Sequence, residues 1–162
     1  LFTTKDLTLS VAESCTGGML AASMVDNRNS SRAFDCAYVT YSNASKVRML
    51  GVPQSLIDEK GAVSCEVAVS MACNAKNQAN TTYALSVSGI AGPDGGSEEK
   101  PVGTVAFALA TKTETYSQIL RLPNWGRRAI REVSCVIALD MLRRAMCSLP
   151  VCASYDYVIK KN

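Results

Sequence analysis

The sequence contains no histidine, and this absence excludes several kinds of active site. Without an imidazole, neither Ser-His-Asp nor Cys-His catalysis is available. Zinc also loses its usual nitrogen ligand, so we expect no metal site. A nucleophile in this chain must therefore be activated by another group, and lysine is the obvious candidate.

Other features are also missing. The chain has no apolar run of membrane-spanning length and no signal-peptide pattern at its start, so we expect a cytoplasmic protein that does not associate with membranes. Its seven cysteines form no CxxC pair and no regular framework, which favours reduced thiols. The net charge is only +3 with dispersed basic residues, which argues against a nucleic-acid partner and leaves room for a small anionic ligand.

What is present is typical of one globular domain, because 48% of the 162 residues are hydrophobic and 19% are charged. We assign residues 1–150 to this domain. Residues 151–162 follow Pro150 as a tail, which could be a terminal strand, an arm that contacts another subunit, or a frayed end ending in Lys160 and Lys161.

The pattern of apolar and turn residues predicts the order of the secondary structure. Strands are expected at 7–11, 34–41, 82–88, 101–110 and 115–122, and helices at 19–25, 45–50, 53–60, 64–79 and 125–147. The last two strands are close enough in sequence to form an antiparallel hairpin. We therefore predict a three-layer α/β/α sandwich around a mixed, mostly parallel sheet of about five strands.

The chain is organised around residues 12–18, AESCTGG, which lie between the first strand and the first helix. A strand-to-helix turn presents side chains and unpaired N–H groups to a ligand. Ser14 or Thr16 could alternatively cap the helix. Cys15 is an alternative nucleophile, because a helix N-terminus favours a thiolate.

Three further groups lie where strands end or helices begin. Tyr41, Asn43 and Lys46 cluster around the end of the second strand. The glycine-rich loop at 89–96 can supply backbone N–H donors to an anion or a developing oxyanion. Three arginines, Arg127, Arg128 and Arg131, lie near the start of the last helix, where one of them can hold an anion.

Several blocks of the sequence resemble the CinA carboxy-terminal domain family. They are residues 12–18, 39–46, 50–52, 61–64, and 88–96 with 101–105. They occur in family order and span the chain from about Leu7 to Leu149. Larger members carry an additional amino-terminal domain that resembles molybdopterin-binding proteins, so the resemblance implies the stand-alone form here.

The resemblance implies hydrolysis of nicotinamide mononucleotide to nicotinate mononucleotide and ammonia, without a metal or a redox cofactor. Ser14 would be the nucleophile, Lys46 its general base, and Tyr41 would orient the proton. The partner would be a small pyridine nucleotide, and the chain would form a homo-oligomer. The implied substrate-binding residues are Thr16, Gly17, Gly18, Asn43, Gly89, Ala91, Gly92, Thr104, Arg128 and Arg131.

One position departs from the family pattern. Family members usually carry Gly-Asp-Arg where this chain has Gly126-Arg127-Arg128, so an acidic residue is replaced by arginine. The change adds positive charge near the expected site. Two hypotheses follow: an active amidohydrolase, or a catalytically inactive paralogue that binds a nucleotide or a protein partner.

Overall fold

The computed structural model describes residues 6–159, which form a five-stranded sheet with helices on both faces. The strands are β1 (Leu9–Glu13), β2 (Phe34–Val39), β3 (Tyr83–Gly89), β4 (Thr104–Ala110) and β5 (Thr115–Arg121). The helices are α1 (Met19–Val25), α2 (Asn43–Leu50), α3 (Gln54–Lys60), α4 (Cys65–Ala79) and α5 (Arg127–Met146), with a short 3₁₀ turn at Ser30–Arg32. The strand order is β2-β1-β3-β4-β5, and β4 runs antiparallel to both of its neighbours. The predicted three-layer, mostly parallel α/β fold is confirmed.

The two faces of the sheet carry side chains of different size. On β4, Val105, Phe107 and Leu109 join the core shared with α1 and α5. The alternating alanines of the same strand pack with Ala68 and Ala72 of α4 on the other face. Because successive strand residues point to opposite faces, this alternation lets α4 lie close to the sheet and places the bulkier core on the α5 side.

Several strand boundaries differ from the predicted ones by one to three residues, and two of these differences have a clear structural cause. The first strand continues through Glu13, which pairs with Val39 of β2 and Val87 of β3, so its two neighbours extend it beyond residue 11. β4 begins at Thr104 rather than at residue 101, because a turn closed by the Thr104 N–H on the Pro101 carbonyl precedes it.

The helix caps agree with the sequence in one case and not in another. Ser64 caps α4, as a serine at the start of a helix favours, since its hydroxyl accepts from the Val67 N–H. Neither Ser14 nor Thr16 caps α1, so that expectation is wrong. The cap position is Gly18, and the carboxylate of Glu13 accepts the backbone N–H groups of the first turn.

The topology opens a crevice at the carboxyl ends of β1, β2 and β3. β1 lies between β2 and β3, so the chain turns to opposite sides of β1 in its first two crossovers. Such a reversal of strand order leaves the ends of the adjacent strands uncovered, and ligands bind there in open α/β sheets. The turn after β1 that carries Ser14 lies at this reversal.

Beyond α5 the chain packs back onto the domain. Val151 is buried in the main core, the Tyr155 hydroxyl donates to Asp140, and the Ile159 N–H donates to the Arg121 carbonyl beside β5. Lys160 and Lys161 lie outside the described residues. Within residues 6–159, no helix is long and apolar enough to span a bilayer.

Candidate active site

Ser14 and Lys46 are in direct contact in the crevice. The Lys46 Nζ lies 3.1 Å from the Ser14 Oγ, and the same amine donates to the carbonyls of Thr40 at 3.0 Å and Tyr41 at 3.3 Å. The lysine is 1% exposed and the serine 8% exposed. The structure thus brings the two expected catalytic side chains within hydrogen-bond distance.

Helix α2 fixes the position of Lys46. The hydroxyl of Ser42 accepts from the Ser45 N–H and begins the helix directly after β2. Lys46 lies in the first turn and reaches back over the end of β2 toward Ser14. Burial lowers the pKa of the lysine below its ordinary value of 10.5 because it disfavours the charged form. A lowered pKa makes the neutral amine, which can accept a proton, available nearer to neutral pH.

Strand alternation separates the two polar residues at the end of β1. Glu13 points toward α1, where its carboxylate accepts from the N–H groups of Gly18, Leu20 and Ala21 at 2.8 to 3.1 Å. Ser14 points to the opposite face, toward α2 and Lys46. The glutamate therefore anchors the turn and helix α1 while the serine faces the crevice.

Cys15 is enclosed behind Ser14. Its side chain is 4% exposed, and burial raises the pKa of the thiol to about 12. Gly89 allows this close packing, since a Cβ at position 89 would lie 3.1 Å from the Cys15 sulfur and 2.8 Å from a Val105 methyl group. A thiol in this state carries very little thiolate at neutral pH, which disfavours the alternative of a cysteine nucleophile.

The crevice has a volume of about 220 Å³ and continues from Ser14 to the surface. Tyr41 is 59% exposed at its rim. The tyrosine hydroxyl accepts from Arg127, while its carbonyl accepts from Lys46. Its expected role in orienting the proton stays a prediction, because within residues 6–159 its hydroxyl forms no hydrogen bond with Ser14 or Lys46. The remaining lining residues are Cys15, Asn43, Ala62, Val63, Ser88, Gly89, Ala91 and Arg127.

The three arginines of α5 occupy different environments. Arg127 lines the crevice and donates to the Gly92 carbonyl and the Tyr41 hydroxyl, both at 2.8 Å. The side chain of Arg128 is 88% exposed and pairs with Glu132, so it lies outside the crevice. Arg131 donates to the Thr16 carbonyl at 2.7 Å and supports the turn from behind. The arginine that reaches the crevice is therefore not one of the two that the family resemblance implies.

Backbone donors are present on two sides of Ser14. The N–H of Gly17 is engaged by the Ser14 carbonyl, and that of Gly18 by Glu13. The N–H groups of Thr16, Ala91 and Gly92 make no hydrogen bond to another residue in the range 6–159, and of these three residues Ala91 lines the crevice. Of the predicted oxyanion donors, these three are therefore unengaged within the described residues.

Thr104 lies apart from the serine–lysine pair. Its hydroxyl donates to the Pro101 carbonyl at 2.7 Å. It lines a second, larger cleft of about 320 Å³ beside β5, together with Leu120, Arg121 and Ile159. Lys100 also lines that cleft, but its amine donates to the Lys60 carbonyl and not to Thr104. The structure does not bring Thr104 into the crevice at Ser14.

Sequence reasoning missed the roles of Glu13 and Arg127. The alternation of β1 could have indicated that Glu13 and Ser14 face opposite ways, had the strand been extended to residue 13. No local signal distinguishes Arg127 from Arg128, since both lie in the first turn of α5. Among residues 6–159, no three potential metal-ligating His, Cys, Asp or Glu side chains come together.

The fold and this site define a three-layer α/β protein with a serine–lysine pair at the carboxyl edge of its sheet. Residues 1–146 match the CinA C-terminal domain, and the chain belongs to this family. A CinA-like protein of Shewanella denitrificans is 53% identical over 150 residues, which cover 93% of this chain and 35% of that relative. A second, from Shewanella loihica, is 53% identical over 148 residues, covering 91% and 35%. This chain thus spans about a third of these relatives, and the stand-alone form stays a prediction.

Solved structures agree with this assignment. The competence/damage inducible protein CihA of Agrobacterium tumefaciens superposes with a TM-score of 0.86 at 40% identity, covering 88% of this chain and 87% of that one. A CinA superfamily protein of Escherichia coli gives a TM-score of 0.85 at 29% identity, with 89% and 83% covered.

Proposed function

We propose that this chain is an amidohydrolase in which Ser14 attacks a carboxamide and Lys46 acts as the general base. The observation that supports it most is the 3.1 Å contact between Ser14 Oγ and the buried Lys46 Nζ. The resemblance to the family indicates nicotinamide mononucleotide as the substrate and nicotinate mononucleotide and ammonia as the products.

The reaction follows from the protonation state of Lys46. The neutral amine takes the proton of the Ser14 hydroxyl as Oγ attacks the amide carbon, and the resulting ammonium gives this proton to the departing nitrogen. The C–N bond breaks, ammonia leaves, and an ester to Ser14 remains. Lys46 then deprotonates a water molecule that cleaves the ester, which restores the serine. The N–H groups of Thr16 and Ala91 are the candidate donors for the developing oxyanion.

Ammonia release from nicotinamide mononucleotide tests this proposal, with Ser14→Ala as the decisive variant. We expect its rate to fall by about 10³-fold or more, because the covalent step loses its nucleophile. Ser134→Ala is a matched control, since Ser134 is also buried but its hydroxyl donates to Ile130 within α5. An unchanged rate in Ser14→Ala would exclude the mechanism.

A specific observation also favours the alternative of an inactive paralogue that binds a nucleotide. Arg127 replaces the acidic residue of the family pattern and holds the hydroxyl of Tyr41, the group expected to assist the proton transfer. This alternative predicts that calorimetry detects saturable binding of nicotinamide mononucleotide while the wild-type protein releases no ammonia. Measurable turnover that depends on Ser14 would refute it.

A further inference from the structure

Arg127 is the cation at the mouth of the crevice. It lines the same space as Ser14 and Lys46, and it reaches across from α5 to Tyr41 and to Gly92. Lys46 lies deeper and its amine is already engaged by Ser14 and two carbonyls. Arg127 is therefore the positive group that an entering ligand meets at the rim.

Within residues 6–159, Arg127 forms no ion pair with an acidic side chain. The lining of the crevice contains no aspartate or glutamate. The ion pairs formed by arginines within residues 6–159 involve Arg128, Arg143 and Arg144 instead. Both groups that hold Arg127, a hydroxyl and a carbonyl, are neutral. A guanidinium without a counter-ion at the mouth of a cleft favours a ligand that carries negative charge there.

The two hydrogen bonds of Arg127 orient it without using all of its donors. A guanidinium has five N–H donors in a rigid fork, and the contacts to Gly92 and Tyr41 use one on each terminal nitrogen. Three donors have no partner among residues 6–159. Because the fork is already held by two neutral groups, less side-chain freedom is lost when an anion binds.

We propose that Arg127 forms an anion subsite that selects phosphorylated substrates over analogues that lack the phosphate. The proposal rests on the proposed function of the crevice and assigns to Arg127 the phosphate of a pyridine mononucleotide, with the carboxamide of that substrate directed toward Ser14. Arg127 replaces Arg128 and Arg131 as the arginine that contacts the substrate.

Kinetics with two substrates test this assignment. Wild-type protein, Arg127→Gln, Arg128→Gln and Arg48→Gln are compared on nicotinamide mononucleotide and on nicotinamide riboside, which lacks the phosphate. Removing one charge-assisted contact should lower kcat/KM for the mononucleotide by about 10-fold to 100-fold in Arg127→Gln, mainly through KM. The same variant should change kcat/KM for the riboside by less than about 3-fold, because that substrate has no anion to lose. Arg48→Gln removes an equal charge from the exposed side of α2 and serves as the control.

Three outcomes overturn the proposal. They are equal losses on both substrates in Arg127→Gln, no loss on either, or a mononucleotide-specific loss in Arg128→Gln. A wild-type protein that releases no ammonia contradicts the proposed function but not the subsite. In that case calorimetry with nicotinamide mononucleotide decides, since Arg127→Gln should weaken Kd by about 10-fold or more relative to wild type and Arg48→Gln. Equal Kd values in all variants, or no binding to wild type, refute the subsite.

Discussion

Replacing Lys46 by methionine tests the property on which the proposed catalysis depends. The lysine is almost fully buried, and this burial lowers its pKa below the ordinary value of 10.5 that it regains on unfolding. Between the two pKa values the unfolded chain binds one proton more than the folded chain. The free energy of unfolding of the wild type therefore rises with pH in this window, by at most about 1.4 kcal/mol per pH unit for a single group.

The sign follows from the protonation of both states. Below the lowered pKa, lysine is charged in the folded and the unfolded chain, and Lys46 contributes no slope. Above 10.5 it is neutral in both, and the slope is again zero. In Lys46→Met the group is absent, so the difference in stability between wild type and variant should rise with pH only within the window.

Urea unfolding of both proteins from about pH 7 to about pH 10 measures this difference, since the midpoint and slope give the free energy of unfolding at each pH. Burial also raises the pKa values of Cys15, Cys135 and Tyr155 to about 12, which makes stability fall at alkaline pH. These contributions occur in both proteins and cancel in the difference, apart from the electrostatic coupling between Cys15 and Lys46.

The kinetic counterpart is that kcat/KM of the wild type rises with pH up to the lowered pKa of Lys46 and levels off above it, where the stability window begins, because the neutral amine is the reactive form. Parallel stability curves for wild type and Lys46→Met would show that the lysine keeps an ordinary pKa. In that case Lys46 could not take the Ser14 proton near neutral pH, and the reasoning from burial to basicity would fail.

Two further predictions concern the neighbours of Ser14. Cys15→Ala should keep at least about half of the wild-type rate of ammonia release, because a buried thiol with a raised pKa is not the nucleophile; complete loss of activity would point to a cysteine hydrolase. Glu13→Gln should lower the free energy of unfolding by about 1 to 3 kcal/mol in urea titrations, because an amide cannot replace both acceptor oxygens for the N–H groups of α1. Glu66→Gln in the exposed first turn of α4 is its control, and equal stability of the two variants would argue against the cap.

The sequence was sufficient to predict which strand ends carry the site. Ser14 follows β1, Lys46 follows β2, and Gly89 ends β3, and parallel neighbours bring these three ends to one edge. The absence of histidine left lysine as the expected base. Both inferences depend on local pattern and on the direction of strands, which a single sequence encodes well.

The choice among the arginines could not be made in this way. Consecutive helical residues point about 100° apart, so Arg127 and Arg128 cannot both face the crevice. Which one does so depends on the rotation of α5, and Ile130, Ile137 and Met141 set this rotation by packing into the core. Thr104 shows the same limit, because its distance from Ser14 depends on how the turn at 101–103 enters β4.

The position of Glu13 explains how the proposed base, Lys46, avoids the carboxylate that precedes Ser14 in the sequence. An aspartate or glutamate close to Lys46 would stabilise the charged amine and raise its pKa, which would remove the base. Glu13 precedes Ser14 directly, but strand alternation turns its carboxylate to the opposite face of the sheet, where the backbone of α1 engages it. Lys46 is left with a hydroxyl and two carbonyls as partners. Burial lowers its pKa, and this effect outweighs the opposing influence of Cys15. Ser88→Asp would place a new carboxylate in the lining of the crevice, where it should raise the pKa of Lys46. The rise of kcat/KM should therefore shift toward higher pH.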